Sequence, residues 1–352
     1  MTLPIFDGHN DFLLRLIAPG ADRQAIWSGQ TGGGHIDLPR MRAGGMAGGM
    51  FAIFIPSPRD NGAGLDTEMT VAPYDLPLPG MLSVAAAQPV ALAMAGHLHG
   101  LARDNPADLA ICLTVADIRA AMATGHIAAV LHMEGAEPIG PDLDALHLFH
   151  AMGLRSLGLV WSRPTLFGHG VPFRYPASPD TGPGLTDAGK RLVKECNALR
   201  ILVDLSHLNA RGVDDVAALS TAPLVATHSN AHAVTPSSRN LTDRQLGLVR
   251  DSGGMVGLNF ATVFLRPDGA RNPDFGWEPV LRHLDHLIGA LGEDHVGFGS
   301  DFDGATVPNG IGDAAGLPHL IDALRAHGFN DALLAKLARD NWLAVLKRTW
   351  GE

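Results

Sequence analysis

PIFDGHND (residues 4–11) is a short apolar run that ends in a histidine and an aspartate, and four later runs share this design. In each of these four runs an imidazole or a carboxylate stands at or just past the end of the apolar residues. The runs are AAVLHMEG (128–135), ILVDLSH (201–207), PLVATHS (223–229) and HVGFGSDFDG (295–304). Barrel enzymes collect their catalytic groups at the carboxyl ends of separate parallel strands. The repeated design therefore predicts a single polar site that is assembled from distant segments.

Strand-like and helix-like patterns alternate along the whole chain. Eight β/α units can be counted, with strands at 4–8, 48–56, 127–134, 155–162, 201–206, 223–228, 255–260 and 295–300. Eight units favour closure of a parallel sheet, so we predict an α/β protein, a (β/α)8 TIM barrel with loop insertions and extra C-terminal helices. A doubly wound open sheet is the alternative. No internal repeat or low-complexity linker divides the chain, so residues 1–352 are predicted to form one domain.

Local signals place several elements between these strands. Thr186 and Thr242 are typical N-caps, so helices are expected to begin there. A strand is expected at 109–114, and a segment broken by Pro and Gly at 57–80 is expected to be an insertion. A long irregular loop is expected at 163–184.

Composition excludes several classes of partner. The 352 residues are 46% hydrophobic and 18% charged, which is ordinary for a globular enzyme. A net charge of −10 without a basic stripe argues against nucleic acid and against an anionic membrane surface. The two cysteines, Cys112 and Cys196, are expected to be buried thiols rather than a disulfide. The chain runs from Met1 directly into a strand and has no long apolar run, so we expect a cytoplasmic protein with no membrane partner.

The residues at the strand ends are typical ligands of zinc-like ions. His9 and Asp11 lie two residues apart in an extended chain, so they face the same way and can bind one cation together. A carboxylate at Glu134 could bridge two metals through its two oxygens. His207 and His228 end neighbouring strands, which lie about 4.8 Å apart, so their imidazoles can meet on one ion. This set is sufficient for two metal ions and predicts a binuclear metallohydrolase.

Two further groups are candidates for the chemistry itself. Asp301 follows the last predicted strand and is placed to act as a general base and then as a general acid. Arg239 precedes Asn240 in the segment after strand 6, where a guanidinium suits capture of a substrate carboxylate. Asp303, farther out in the loop, is expected to have a supporting or turn role. Ten histidines in helix, turn or loop contexts are not expected to take part in the chemistry: His35, His97, His99, His126, His147, His150, His283, His286, His319 and His327. His232, in the loop after strand 6, is a candidate for a supporting role.

Six pieces of the chain resemble the membrane dipeptidase (renal dipeptidase) family of zinc peptidases. FDGHND, HMEG, VDLSH, THSNA, SRNLTD and GSDFDG occur in the family's order and span residues 6–304. The resemblance implies an amidohydrolase-like barrel with two Zn²⁺ per chain, a dipeptide as substrate, tolerance of a D-residue at the second position, and a homodimer. The chain looks like a soluble bacterial-type member. The roles implied by the resemblance are His9 and Asp11 on the first zinc, Glu134 bridging, His207 and His228 on the second zinc, Asp301 as acid/base, and Arg239 with Asn240 binding the substrate.

One departure from the family pattern concerns the end of strand 4. Family members typically have Thr-His-Asn there, and this chain has Val160-Trp161-Ser162. An indole offers an N–H donor but cannot exchange a proton. Trp161 is therefore expected to line the substrate site, and Arg163 or His169 are candidates to replace the missing histidine. Altered dipeptidase activity is an alternative that this substitution leaves open.

The expected reaction is hydrolysis of the peptide bond of a dipeptide. A hydroxide that bridges the two zinc ions would attack the carbonyl carbon, and Asp301 would take up the proton and return it to the departing amine. Another metal-dependent amide or lactone hydrolase on the same barrel, such as an N-acyl amino acid hydrolase, is the alternative enzyme. A non-catalytic metal-binding relative is the alternative from another class, and only Trp161 favours it.

Overall fold

Eight parallel strands form the centre of the computed structural model, which describes residues 3–57 and 68–351. In chain order they are β1 (Ile5–Asn10), β2 (Met46–Phe54), β3 (Ile127–Glu134), β4 (Leu154–Gly158), β5 (Leu202–Asp204), β6 (Val225–Ala226), β7 (Met255–Asn259) and β8 (Val296–Gly299). Each strand pairs with its neighbour in the chain, and a bridge from Asn10 to Phe302 brings β8 against β1. The predicted TIM barrel is confirmed, and the open sheet is wrong.

Helices surround this barrel and follow its strands. The longer ones are Val84–Asp104, Val115–Ala123, Asp144–Ala151, Asp187–Leu199, Ala210–Leu219, Asp243–Asp251 and Glu278–Leu291. The C-terminal helical segments are Ala314–Gly316, Leu317–His327, Asp331–Ala335, Lys336–Asp340 and Asn341–Trp350. Short helices that the sequence analysis did not assign are Phe12–Leu16, Arg23–Trp27, Leu38–Gly44, Thr262–Leu265 and Glu293–His295. No helix in the described part of the chain has both the length and the apolar character that a membrane span requires.

Capping residues begin two helices where the sequence predicts them. Thr186 accepts a hydrogen bond from the backbone N–H of Gly189, and Thr242 forms a capping box with Gln245. The extra strand predicted at 109–114 ends earlier, at Ile111. The reason is local, because the carboxylate of Asp117 accepts the N–H groups of Leu113 and Thr114 where the next helix begins.

The strands are shorter than predicted at the carboxyl end of the barrel. β4 ends at Gly158 rather than at 162, and β6 ends at Ala226 rather than at 228. Beyond these points the chain leaves the sheet to form the loops of this face. Two of these loops pair as a small antiparallel sheet, Tyr74–Asp75 with Arg174–Tyr175, which the sequence analysis did not foresee. Part of the predicted 57–80 insertion, residues 58–67, lies outside the described residues.

Trp342, in the helix Asn341–Trp350, packs against β1, β7 and β8. A β-carbon at Gly8 would lie 2.2 Å from its ring, and one at Gly297 would lie 2.7 Å from it, so both strands need glycine there. The indole N–H donates to the carbonyl of Phe298 at 2.9 Å. Cys112 and Cys196 are buried free thiols, as predicted.

Candidate active site

The carboxylate of Glu134, at the end of β3, lies among three imidazoles. Its Oε1 is 3.0 Å from Nε2 of His207, 3.2 Å from Nε2 of His228 and 3.8 Å from Nε2 of His9. Asp11 lies on another side of His9, with Oδ2 3.3 Å from Nε2. All five side chains are buried. The fold therefore brings together, on one face of the barrel, five residues that are up to 219 positions apart (228 − 9).

Two overlapping groups in the described residues have the spacing of cation ligands. His9, Glu134 and His228 form one, and His9, Asp11 and Asp301 form the other. In each group the ligand atoms lie within 4.8 Å of one another. Asp301 thus lies close enough to act as a ligand, beyond the proton-transfer role predicted from the sequence.

Charges and unpaired atoms in this cluster fit a bound cation. Both ring nitrogens of His9 and Oδ1 of Asp11 are buried without a hydrogen-bond partner. Burial lowers the pKa of His9, but the carboxylates of Glu134 and Asp11 outweigh this effect and raise it to about 10. Burial also raises the pKa of Glu134. The position of His9 therefore favours a positive charge, which a metal ion would supply.

The tautomer of His228 follows from its neighbours. The hydroxyl of Thr227 donates its one proton to Oδ2 of Asp204 at 2.6 Å, so it can only accept from Nδ1 of His228, 2.8 Å away. Nδ1 therefore carries the proton, and the lone pair of Nε2 faces Glu134. Burial holds the pKa of His228 well below its usual range, so the ring is neutral. A neutral imidazole with a free Nε2 is the form that binds metals.

Asp301 lies just past β8 with its carboxylate directed into the cluster. Its Oδ2 accepts from Nδ2 of Asn259 at 2.9 Å, and its backbone N–H donates to the carbonyl of His9 at 3.0 Å. Burial and the nearby Asp11 raise the pKa of Asp301. Asn259, the last residue of β7, was missed by the sequence analysis. The available signal was a polar residue at the carboxyl end of an apolar strand.

Arg239 is buried beside this cluster. Nη1 donates to the hydroxyl of Ser229 at 3.0 Å and Nη2 to the carbonyl of His228 at 3.1 Å, while Nε has no partner. Burial lowers its pKa to about 10, so the guanidinium is charged at neutral pH. Asn240 donates instead to the carbonyls of Thr235, in its own loop, and Phe264, in the short helix Thr262–Leu265. Its contact with substrate stays a prediction.

An open pocket leads to these polar groups. Its floor includes Asp11, Glu134, His207 and Asp301, and its walls are mostly apolar. Trp161 is part of the wall, with its ring centre 5.8 Å from that of His207. Its contact with substrate stays a prediction.

Neither residue proposed to replace the family histidine lines this pocket. Arg163 is fully buried, and its guanidinium binds Oε1 of Glu137 at 2.7 Å and the carbonyl of Ile55 at 2.9 Å. The ring of His169 contacts the carbonyl of Gly184 at 3.3 Å. The guanidinium of Arg163 is fully committed to contacts within the fold, so that expectation was wrong for Arg163. The expectation for His169 stays a prediction.

Comparison with known proteins identifies the family. The family model of the membrane dipeptidases (peptidase family M19) matches residues 1–350. The chain belongs to this family. Members of family M19 are metallopeptidases, so this enzyme is a metal-dependent hydrolase of peptide bonds.

Two solved structures and one sequence illustrate how similar other M19 proteins are. A structure of dipeptidase AC, a family M19 metallopeptidase, is 63% identical, with a TM-score of 0.98 over 100% of both chains. A metallopeptidase from Rhodobacter sphaeroides, liganded with a phosphinate mimic of the dipeptide L-Ala-D-Ala, is 64% identical, with a TM-score of 0.98 over 99% of this chain and 100% of that one. An uncharacterized protein from the region 5′ of pqqA in Klebsiella pneumoniae is 51% identical over 69% of this chain and 89% of its own length.

Proposed function

We propose that this M19 enzyme is a binuclear zinc dipeptidase that hydrolyses both L-L and L-D dipeptides. The observation that carries the proposal is the position of Glu134, whose Oε1 lies within 3.8 Å of three imidazole nitrogens. In the proposed site His9 and Asp11 would hold one Zn²⁺, His207 and His228 would hold the other, and Glu134 would contribute to both. When bound, the two ions polarise the scissile carbonyl and make a nucleophilic water available at neutral pH.

Asp301 is proposed to move the proton in this reaction. Asn259 occupies its Oδ2, so Oδ1 is the oxygen that takes a proton from the attacking water and returns it to the departing amine. The raised pKa of Asp301 supports this role, because its carboxylate is a stronger base toward water and, once protonated, keeps the proton closer to neutral pH until the amine departs.

The substrate class rests on the pocket and on the relatives. The R. sphaeroides relative binds a phosphinate mimic of L-Ala-D-Ala, and a phosphinate resembles the tetrahedral stage of peptide hydrolysis. The charged, buried Arg239 beside the cluster is proposed to attract the terminal carboxylate of the dipeptide. A homodimer is also proposed, from the family resemblance, and size-exclusion chromatography tests it.

The decisive experiment measures turnover of a dipeptide library by zinc-loaded enzyme, with Asp301→Asn as the control. We expect two zinc ions per chain by elemental analysis, hydrolysis of L-L and L-D members, and loss of most turnover in the control with both ions retained. Hydrolysis of N-acyl amino acids or lactones, but of no dipeptide, would overturn the substrate assignment. A stoichiometry of one zinc at full activity would overturn the binuclear site.

A further inference from the structure

The loop that carries Asp301 has an unfavourable backbone conformation. Asp301 and Asp303 are both non-glycine residues with positive φ, 57° and 68°. Residues with a β-carbon adopt this left-handed region uncommonly, although aspartate does so more often than most. Such a conformation persists only where surrounding contacts hold it. A contact that fixes Asp303 therefore also fixes the direction of the Asp301 carboxylate two residues earlier.

His35 makes that contact from a distant segment of the chain. Its backbone N–H donates to Oδ1 of Asp303 at 2.5 Å, and the backbone N–H of Asp303 donates to Nδ1 of His35 at 2.9 Å. The two residues are 268 positions apart. The ring also packs near Phe302, with centres 5.6 Å apart. Two reciprocal hydrogen bonds fix both the position and the orientation of the loop.

The segment that presents His35 is itself held in place. Nη1 of Arg15 donates to the carbonyl of Ile36 at 2.5 Å, and Nη2 of Arg40 donates to the carbonyl of Gly33 at 2.8 Å. Nη1 of Arg15 also lies 3.7 Å from Oδ2 of Asp303. Hydrogen bonds from two guanidinium groups thus hold the backbone on both sides of His35.

We propose that His35 is a positioning residue for catalysis, which acts through Asp303 to hold the Asp301 carboxylate at the metal cluster. The inference rests on the proposed acid/base role of Asp301. It reverses the sequence-based expectation that His35 has no part in the chemistry. Nδ1 must be unprotonated to accept from Asp303, and burial together with Arg40 lowers the pKa of His35, which favours that form.

The test compares variants with and without an acceptor at position 35. His35→Leu and His35→Ala remove the acceptor, whereas His35→Asn places a carbonyl oxygen close to the position of Nδ1. We expect kcat on a dipeptide to fall about tenfold or more in the first two variants, with KM and zinc content little changed. The asparagine variant should recover most of the turnover. His126→Leu, at the opposite end of the barrel, is the matched control and should not change kcat.

A double variant separates positioning of Asp301 from general damage to the site. When His35→Leu or His35→Ala is added to Asp301→Asn, we expect no further loss, because the group being positioned is already absent. Losses that multiply in the double variant would overturn the inference. So would unchanged kcat in both variants that lack the acceptor. If Asp301→Asn alone keeps full turnover, the proposed role of Asp301 is wrong, and that result is distinct from a failure of the role of His35.

Discussion

The hydroxyl of Thr227 donates to the carboxylate of Asp204 across 2.6 Å, between the ends of β6 and β5. Because the hydroxyl proton is used in this bond, the hydroxyl can only accept a hydrogen bond from Nδ1 of His228. The proton of the ring therefore lies on Nδ1, and Nε2 is free to bind a metal. Partners that orient a ligand in this way commonly contribute 10–100-fold to metal affinity.

Thr227→Val is therefore expected to weaken zinc binding by about 10–100-fold, because the isosteric side chain leaves the tautomer of His228 unspecified. Competition with a chromophoric chelator measures the affinity. Thr227→Ser keeps the hydroxyl and is the matched control. Equal affinity in the valine variant and the wild type would show that the Asp204–Thr227 pair does not orient the ligand.

Asn259→Ala is expected to shift the pH dependence of turnover. The Asn259 hydrogen bond lowers the pKa of Asp301, so its removal raises that pKa further. The carboxylate form, which accepts the proton from water, is then lost at a higher pH. The acid limb of the kcat/KM profile should move to higher pH, with a larger loss of activity under acidic than under alkaline conditions. A limb that stays in place or moves to lower pH would contradict the assignment of Asp301 as the base.

Gly304→Ala is expected to separate the carboxylates of the cluster. A β-carbon at this position would lie 2.1 Å from Oδ2 of Asp11 and 2.5 Å from Oδ1 of Asp301. We expect at least about a tenfold loss of kcat/KM, since a displacement of this size disrupts catalytic geometry. Gly276→Ala is the matched control, because its β-carbon would meet nothing within 4 Å. Wild-type kcat/KM in the Gly304 variant would mean that these carboxylates can move apart without loss of activity.

Arg163→Met tests the conclusion that this residue supports the fold rather than the chemistry. Its side chain and that of Glu137 are fully buried, so the variant leaves a carboxylate without its partner. We expect a loss of about 3–5 kcal/mol in the free energy of unfolding, measured by denaturant titration. The folded fraction should keep its kcat. Arg103→Met, which breaks an exposed pair with Asp104, is the control and should not alter stability measurably.

The sequence alone predicts the barrel and the group of candidate metal ligands because both follow from local patterns. Each candidate ligand stands at the end of an apolar run, and the carboxyl ends of parallel strands necessarily meet on one face. The family predicted from the six pieces is confirmed. The distribution of ligands between two ions and the single domain over 1–352 stay predictions.

What the sequence does not predict depends on contacts between loops. His35 reaches Asp303 across 268 positions, and nothing within either segment indicates that contact. Arg163 stands close to the candidate site in the sequence, yet its guanidinium turns to the buried Glu137. The direction of a long side chain in an irregular loop is set by partners from elsewhere, so periodicity carries no information about it.

The packing of Trp342 against β1 and β8 has a consequence for biosynthesis. These strands are about 290 residues apart in the chain and meet where the barrel closes. The indole of Trp342 occupies the space that the missing side chains of Gly8 and Gly297 leave beside them. Trp342 follows both strands in the chain and is therefore synthesised after them. His9 and Asp301 lie on opposite sides of this junction. A growing chain therefore contains both of these candidate ligands before it contains the indole that packs behind the strands that carry them.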